Sequence, residues 1–358
     1  MSPTSSGSGS TRGGARERAR RRSEASRAPL ETSLTIGGAS IAPGETRDLT
    51  LSLGPVSALP PLEVPVRVVR GLRPGPRLFV LALVHGDELN GLGVLRRLMS
   101  RELRLLKGTL LLVPVANPYS FFSHSRYLPD HRDLNRCFPG KNRGSAASRL
   151  AALLFREIVA GCDAGIDLHT APRGRTNAPH VRVSLEVRGA RALARQFGAE
   201  ILLDHPSRPG TLRHAAAGAG IPVLLVEAGD PFRFQPQHIR WMTMGVLNVL
   251  RSHGMIEGAP VRAPFRVIIK RTRWLRAEAA GILEMTVKPR QLVRAGTPLG
   301  RLFDVFGGER MTIRAPEPGL VLGVTTYPAA SVGDALCHLG VAKRSWSLLE
   351  KHLGAALG

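Results

Sequence analysis

Three cysteines in 358 residues, Cys137, Cys162 and Cys337, are too few and too widely spaced for a disulfide framework or a four-thiolate zinc site. No run approaches the roughly 18 consecutive apolar residues that a membrane span needs. The first 30 residues also lack the apolar stretch, about 7 to 15 residues long, of a secretory signal. No internal repeat stands out. Together these absences point to a soluble cytoplasmic protein without a membrane partner. Acidic residues are scarce as well: 27 Asp and Glu stand against 50 Lys and Arg, for a formal charge of +23. Of the basic residues 44 are Arg and they run along the whole length, so a composition bias explains part of the excess. One cluster lies between Arg12 and Arg27, in a Ser/Gly/Ala/Arg leader with little to pack, and residues 1–30 are expected to be disordered. That leader holds no aromatic residue and no recognition motif, which argues against nucleic acid as a partner. The same charge excess would draw an anionic substrate toward a cleft.

A chain of this length can bury a large core and divide into more than one domain. Apolar runs predict strands at Leu62–Val69, Leu78–Val84, Thr109–Val115, Gly165–Leu168, Val181–Val187, Glu200–Leu203 and Ile221–Val226. Helices are expected between them at Leu89–Leu98, Ala146–Val159, Ala190–Phe197, Leu212–Ala217 and Gln237–Leu250. The first two strands read as a hairpin or as neighbours. Strands and helices alternating over residues 60–250 argue for an α/β sandwich with helices on both faces of the sheet. Residues 31–60 read as an N-terminal β extension of this unit, which runs to residue 258. After Gly258-Ala259-Pro260 the texture turns to short β stretches and turn signals. Residues 259–344 therefore read as a small all-β barrel or sandwich, followed by a tail over 345–358 with a short helix at Ser345–Leu353.

Polar residues collect where the predicted strands end. His85-Gly86-Asp87-Glu88 follows the run to Val84, His169 follows Leu168, and Glu227 follows Val226. In α/β folds ligands gather beyond the carboxyl ends of strands. His85 and Glu88, three apart, can point at one metal from a turn, and His169 completes an N/N/O set with a position left for water or substrate. Taken alone, His169 is more simply a core or helix-capping histidine. Asp167 would reach its ring only from a regular strand. Glu227 beside a metal can take a proton from water and pass it to a leaving amine, a reading its strand-end position favours over a carboxylate merely satisfied by an arginine or backbone amides. The stretch from Tyr119 to Gly140 reads as a long structured loop. Within it, Arg126 to Arg136 is dense in groups that hold anions, and a second Arg near the metal could stabilise a developing oxyanion, with no single arginine marked out. Tyr127 would wall the pocket, Phe138 would pack in the core, and His124 and His131 would lie on the surface.

These motifs resemble those of the succinylglutamate desuccinylase and aspartoacylase family, which is similar in fold to the zinc carboxypeptidases. The resemblance rests on His85-Gly86-Asp87-Glu88, on His169 within Ile166-Asp167-Leu168-His169-Thr170, and on Asp133-Leu134-Asn135-Arg136 followed by Cys137-Phe138-Pro139-Gly140. Glu227 stands in Val226-Glu227-Ala228-Gly229. It implies a zinc-carboxypeptidase-like three-layer sandwich with a mixed central sheet, and one zinc ion per chain on His85, Glu88 and His169. It further implies that Asn135 and Arg136 bind a substrate carboxylate, that Arg126 polarises the amide carbonyl, and that Glu227 is the general base and acid. The all-β part looks like the family's β domain, similar to a biotinyl or lipoyl carrier. Lys288 lies in Val287-Lys288-Pro289-Arg290 and not in a Met-Lys acceptor centre. That part is expected to cover the cleft or to mediate assembly into a homo-oligomer. The implied activity is zinc-dependent hydrolysis of a small anionic N-acyl amino acid or related metabolite. A metallo-carboxypeptidase acting on peptides is the alternative, and a non-enzymatic anion or nucleic-acid binder the more distant one.

Overall fold

The computed structural model describes residues 34–54 and 63–354; the Arg-rich leader over 1–30 lies outside them. The strands are β1 (Leu34–Ile36), β2 (Ala39–Ile41), β3 (Thr46–Ser52), β4 (Glu63–Arg70), β5 (Arg73–Ala82), β6 (Lys107–Val113), β7 (Ala164–His169), β8 (Arg175–Val183), β9 (Ile201–Asp204) and β10 (Val223–Gly229). Then come β11 (Val267–Ile269), β12 (Thr272–Arg276), β13 (Gly281–Met285), β14 (Leu292–Val293), β15 (Pro298–Phe303), β16 (Glu309–Arg314), β17 (Gly319–Thr325), β18 (Ala329–Ala330) and β19 (Ala335–Val341). The helices are α1 (Asn90–Met99), α2 (Pro118–Phe122), α3 (Ala146–Leu154), α4 (Ala190–Phe197), α5 (Leu212–Gly218), α6 (Pro236–Ser252) and α7 (Trp346–Leu353). None is long and apolar enough to cross a membrane.

A mixed central sheet with helices on both faces organises the molecule. Its path runs β3-β4-β6-β5-β7-β10-β8 and continues through β17 and β19 to β12. The parallel pairs β6–β5–β7–β10 form its centre, with antiparallel β3, β4 and β8 on either side. The alternation of β5 shows why two layers of helix are needed. Leu78, Val80 and Ala82 point into a core with α1, α4 and α6, whereas Phe79 and Leu81 point into one with α3 and α5. The strands expected at Leu62–Val69 and Leu78–Val84 are neither a hairpin nor neighbours, because β6 lies between β4 and β5.

Two further cores serve the C-terminal residues, one of them built on Leu283, Val293, Leu302 and Leu339. A four-stranded sheet β16-β15-β13-β18 forms part of this region. The sheet itself does not stop at residue 258, however. Thr176 and Asn177 of β8 pair with Val324 and Gly323 of β17, so β17, β19 and β12 extend the central sheet.

Candidate metal centre and active-site cleft

Strand β5 ends at Ala82, and Leu83 then turns through a left-handed φ of 55°. His85, Gly86, Asp87 and Glu88 occupy the turn before α1. Gly86 presses against α2 so closely that a Cβ there would sit 2.0 Å from the Ser120 backbone. A side chain at this position would push the whole turn off the sheet edge. His169 is the last residue of β7, which stands next to β5 in parallel, and the two strands therefore deliver their polar ends to one place.

The three side chains are buried, with 2%, 2% and 3% exposure for His85, Glu88 and His169. One donor atom from each lies within 4.8 Å of the others. Glu88 spans the imidazoles, with Oε1 2.8 Å from His85 Nδ1 and Oε2 2.7 Å from His169 Nδ1. The Thr170 amide donates to Oε2 at 3.0 Å and fixes the carboxylate plane. Behind the rings stand two more carboxylates. His85 Nε2 is 3.0 Å from Asp133 Oδ1, and His169 Nε2 is 2.9 Å from Asp167 Oδ2, though the latter pair is not aligned as a hydrogen bond. Each ring nitrogen faces a carboxylate that can only accept, so either both nitrogens carry protons or a cation takes the place of the proton on Nδ1 and leaves Nε2–H toward Asp133 and Asp167. Lone pairs and carboxylate oxygens at such distances repel unless a cation lies among them. The donor set thus fits a zinc ion, with both outer ring nitrogens backed by the partners that orient metal ligands.

The electrostatics agree. Burial opposes charge on Glu88, but both histidines outweigh it and hold the carboxyl well below its usual range. Burial likewise opposes a proton on His169, yet Asp167 and Glu88 raise its affinity well above normal. Burial pushes the His85 ring the same way, and Glu88 and Asp133 reverse that effect too. A field that attracts a proton into a buried site also attracts a divalent cation.

Asp133 stands in one of the sequence motifs without a role of its own, yet it joins three parts of the site. Its Oδ1 also accepts from the Asn135 amide at 2.8 Å, capping the short 3₁₀ turn Leu134–Arg136. Its Oδ2 accepts from Arg126 Nε at 3.2 Å and Nη2 at 2.9 Å. Burial raises its carboxyl pKa, but His85 and Arg126 more than reverse this and keep it ionised. Arg126 Nη1 lies 3.2 Å from His85 Nδ1 and 3.4 Å from Glu88 Oε1, beside the donor set. Asn135 is buried, its Oδ1 accepting from the Leu212 amide at 2.9 Å. Arg136 is exposed at the rim and donates to the Asn135 carbonyl at 2.6 Å. Tyr127 is 48% exposed on the same wall. As expected, Phe138 is buried, while His124 and His131 are exposed.

Glu227 faces this group from β10. A β-bulge shapes its surroundings, since Glu227 pairs with His180 and Gly229 with Asn177, two residues against three. The extra residue brings Asn177 to the face of Glu227, which Arg182, two residues from His180, already shares. Asn177 Nδ2 donates to Oε2 at 3.0 Å, and Arg182 Nε lies 3.5 Å from Oε1. His180 donates from Nδ1 to the Ala178 carbonyl at 2.8 Å, which leaves Nε2 to accept from Arg182 Nε at 3.3 Å. Arg213 of α5 is a further residue the sequence did not mark. It is 9% exposed, donates to the His205 carbonyl at 3.1 Å and has no carboxylate within ion-pair distance among the described residues. Burial, helped by Arg182, pushes its pKa down to about 10. All eight residues expected at the site, together with Asn177, Arg182 and Arg213, line one cleft of about 860 Å³.

A buried His–Glu–His cage opening into a cleft at the edge of a mixed α/β sheet defines a zinc-dependent hydrolase of small N-acylated amides. Residues 74–253 match the model of the succinylglutamate desuccinylase/aspartoacylase catalytic domain, and the chain belongs to that family. It is 30% identical over 300 residues to the N-alpha-acetyl-L-2,4-diaminobutyric acid deacetylase of Halomonas elongata, covering 78% of this chain and 86% of that one. The product-bound ectoine utilization protein EutE of Ruegeria pomeroyi superposes with a TM-score of 0.76 at 23% identity, over 83% of this chain and 95% of the other. A succinylglutamate desuccinylase/aspartoacylase from Rhodobacter sphaeroides gives 0.74 at 26% identity, over 82% and 95%.

Proposed function

We propose that this protein removes the acyl group from a small N-acyl amino acid that carries at least one carboxylate. The observation that carries the reading is Glu227, held by Asn177 at 3.0 Å in the same cleft as the His85–Glu88–His169 cage. A zinc ion bound in that cage supplies Lewis acidity at the scissile carbonyl and lowers the pKa of water. Glu227 accepts the proton of the attacking water and returns it to the departing nitrogen. Arg126 shares the negative charge that develops on the carbonyl oxygen. Asn135, Arg136 and the buried Arg213 grip the substrate carboxylate, with Tyr127 closing one wall.

The peptide-cutting alternative calls for an open cleft. Here the C-terminal residues Trp274, Tyr327, Leu336 and His338 wall it, which supports a single acylated metabolite held lengthwise over a peptide chain running through. In this reading residues 31–258 form the zinc-carboxypeptidase-like three-layer body. Residues 259–344 form a barrel-sandwich that keeps no acceptor lysine and serves the cleft. The test is release of free amine by zinc-loaded protein from a panel of acetylated, formylated and succinylated amino acids. Inertness toward the whole panel, with peptides trimmed from their C termini, would overturn the reading.

A further inference from the structure

The cleft extends well past the catalytic group. A volume of about 860 Å³ suits a drug-sized ligand better than an acetylated amino acid. Its floor is the continuation of the central sheet. Asn177, which holds Glu227, is in register with Gly323, which is opposite His338, which is opposite Trp274. Gly323 leaves the floor open between them, since a Cβ there would lie 2.4 Å from Asn177 Oδ1. At about 4.8 Å per strand, Trp274 is roughly 19 Å across the sheet from Glu227.

At that far end the groups form a built but unsatisfied site. Trp274 and His338 stack at 4.3 Å with their planes 5° apart, and the Arg175 guanidinium lies 4.7 Å from the Trp274 ring centroid. His338 is 3% exposed, and its Nδ1 has no hydrogen-bond partner among the described residues. Arg276 lines the same wall and donates to the Gly333 carbonyl at 2.6 Å. Neither arginine has a carboxylate within ion-pair distance among the described residues. The acid beside them, Asp334, accepts from the Ser331 amide at 2.8 Å. Stacking fixes the Arg175 fork in place, and an arginine so held with its donors free is suited to an oxyanion.

We propose that Arg175 and Arg276, with the Trp274–His338 stack, form a distal subsite for a second anionic group at the far end of the substrate. This rests on the deacylase reading and extends it: the substrate is a long dianion, with one anionic group beside Arg136 and Arg213 and the other, a carboxylate or phosphate, at Arg175. A diamino acid, with a cationic far end, fits this end of the cleft poorly.

The test is calorimetric binding of linear dicarboxylates from succinate to sebacate to the zinc-loaded full chain, with acetate as the single-anion control. Affinity is expected to rise by about tenfold once the chain is long enough to reach Arg175. Arg175→Gln and Arg276→Gln should each reduce that rise, with zinc content and melting temperature confirming that the variants are folded. An ω-phosphonate of the best length names the oxyanion, carboxylate or phosphate, by which end group binds more tightly. Affinity that is flat with length in the wild type, or a rise that survives both substitutions, overturns the subsite. Binding needs no turnover, so a rise with length in a protein inert toward N-acyl amino acids would sink the deacylase reading and leave the subsite standing.

Discussion

Asp133 offers the sharpest test of how the centre is held. Its Oδ1 serves His85 Nε2 and the Asn135 amide, and its Oδ2 serves two nitrogens of Arg126. Replacing it with Ala removes the acceptor behind His85, and loss of such a partner typically weakens metal affinity by about 10- to 100-fold. That corresponds to roughly 1.4–2.8 kcal/mol. Asp133→Asn separates the two roles. An amide oxygen at Oδ1 can still accept from His85 and Asn135, whereas an NH₂ in place of Oδ2 faces the Arg126 donors and repels them. The Asn variant should therefore keep zinc affinity within about tenfold. It should nonetheless lose turnover at saturating zinc, because Arg126 is released from charge-assisted bonds worth about 1.5–3 kcal/mol. Zinc affinity is read by competition with a chromophoric chelator, and turnover by amine release. An Ala variant that binds zinc as tightly as the wild type would refute the reasoning.

Three further outcomes follow from the same geometry. Glu227→Gln keeps the shape and the Asn177 contact but cannot shuttle a proton, so zinc content should stay near one per chain while kcat falls about 10²- to 10⁴-fold; near-normal turnover would remove Glu227 from its role. His169→Ala should lower the zinc content measured after dialysis, and full occupancy would overturn the ligand assignment. His338 gives a pH effect: burial, reinforced by Arg182 and Arg175, pushes its pKa down to about 3, from 6.5. The unfolded chain takes up this proton first, so stability from the neutral ring is complete above about pH 6.5 and is lost as pH falls toward 3. Between pH 7 and pH 5 this residue should cost about 2 kcal/mol. Urea unfolding of His338→Phe, which keeps the stack on Trp274, should show a correspondingly shallower pH dependence, and an unchanged slope would count against the buried neutral ring.

The metal centre was legible in the sequence because its residues sit at the ends of long apolar runs, and a parallel sheet brings such ends together. His85, Glu88 and His169 needed only that rule. Asp167 could be placed once β7 proved regular, since residues two apart on a strand share a face. Pairing order was not legible, because the placement of β6 between β4 and β5 depends on contacts far apart in sequence. Strand β8 was expected at Val181–Val187 and instead runs Arg175–Val183. Its first half, Arg175-Thr176-Asn177-Ala178-Pro179-His180, reads as a loop because its exposed face is the polar floor of the cleft and Pro179 breaks the ladder. The helix expected to run to Val159 changes to a π-type turn at Phe155. Strands β12 and β19 escaped for a similar reason: Thr272, Trp274, Arg276 and His338 serve the cleft wall, so alternation into a core is interrupted there.

The bulge in β8 links these misreadings to the chemistry. In a regular antiparallel pair, Asn177 and His180 would point to opposite faces, and only one of them could share the face of Glu227. With three residues of β8 set against two of β10, Asn177 meets Oε2 while Arg182, braced by His180, meets Oε1. The same extra residue keeps Arg175 on the cleft face, where it can lie over Trp274. One inserted residue therefore sets both the orientation of Glu227 and the charge at the distant end of the cleft. Inserting one residue between Ala228 and Gly229 of β10 would restore a regular ladder with Ala178 kept, and would turn Asn177 and Arg175 to the opposite face together. Loss of turnover and loss of long-dianion binding should then arrive as a pair, although the two sites are several strands apart.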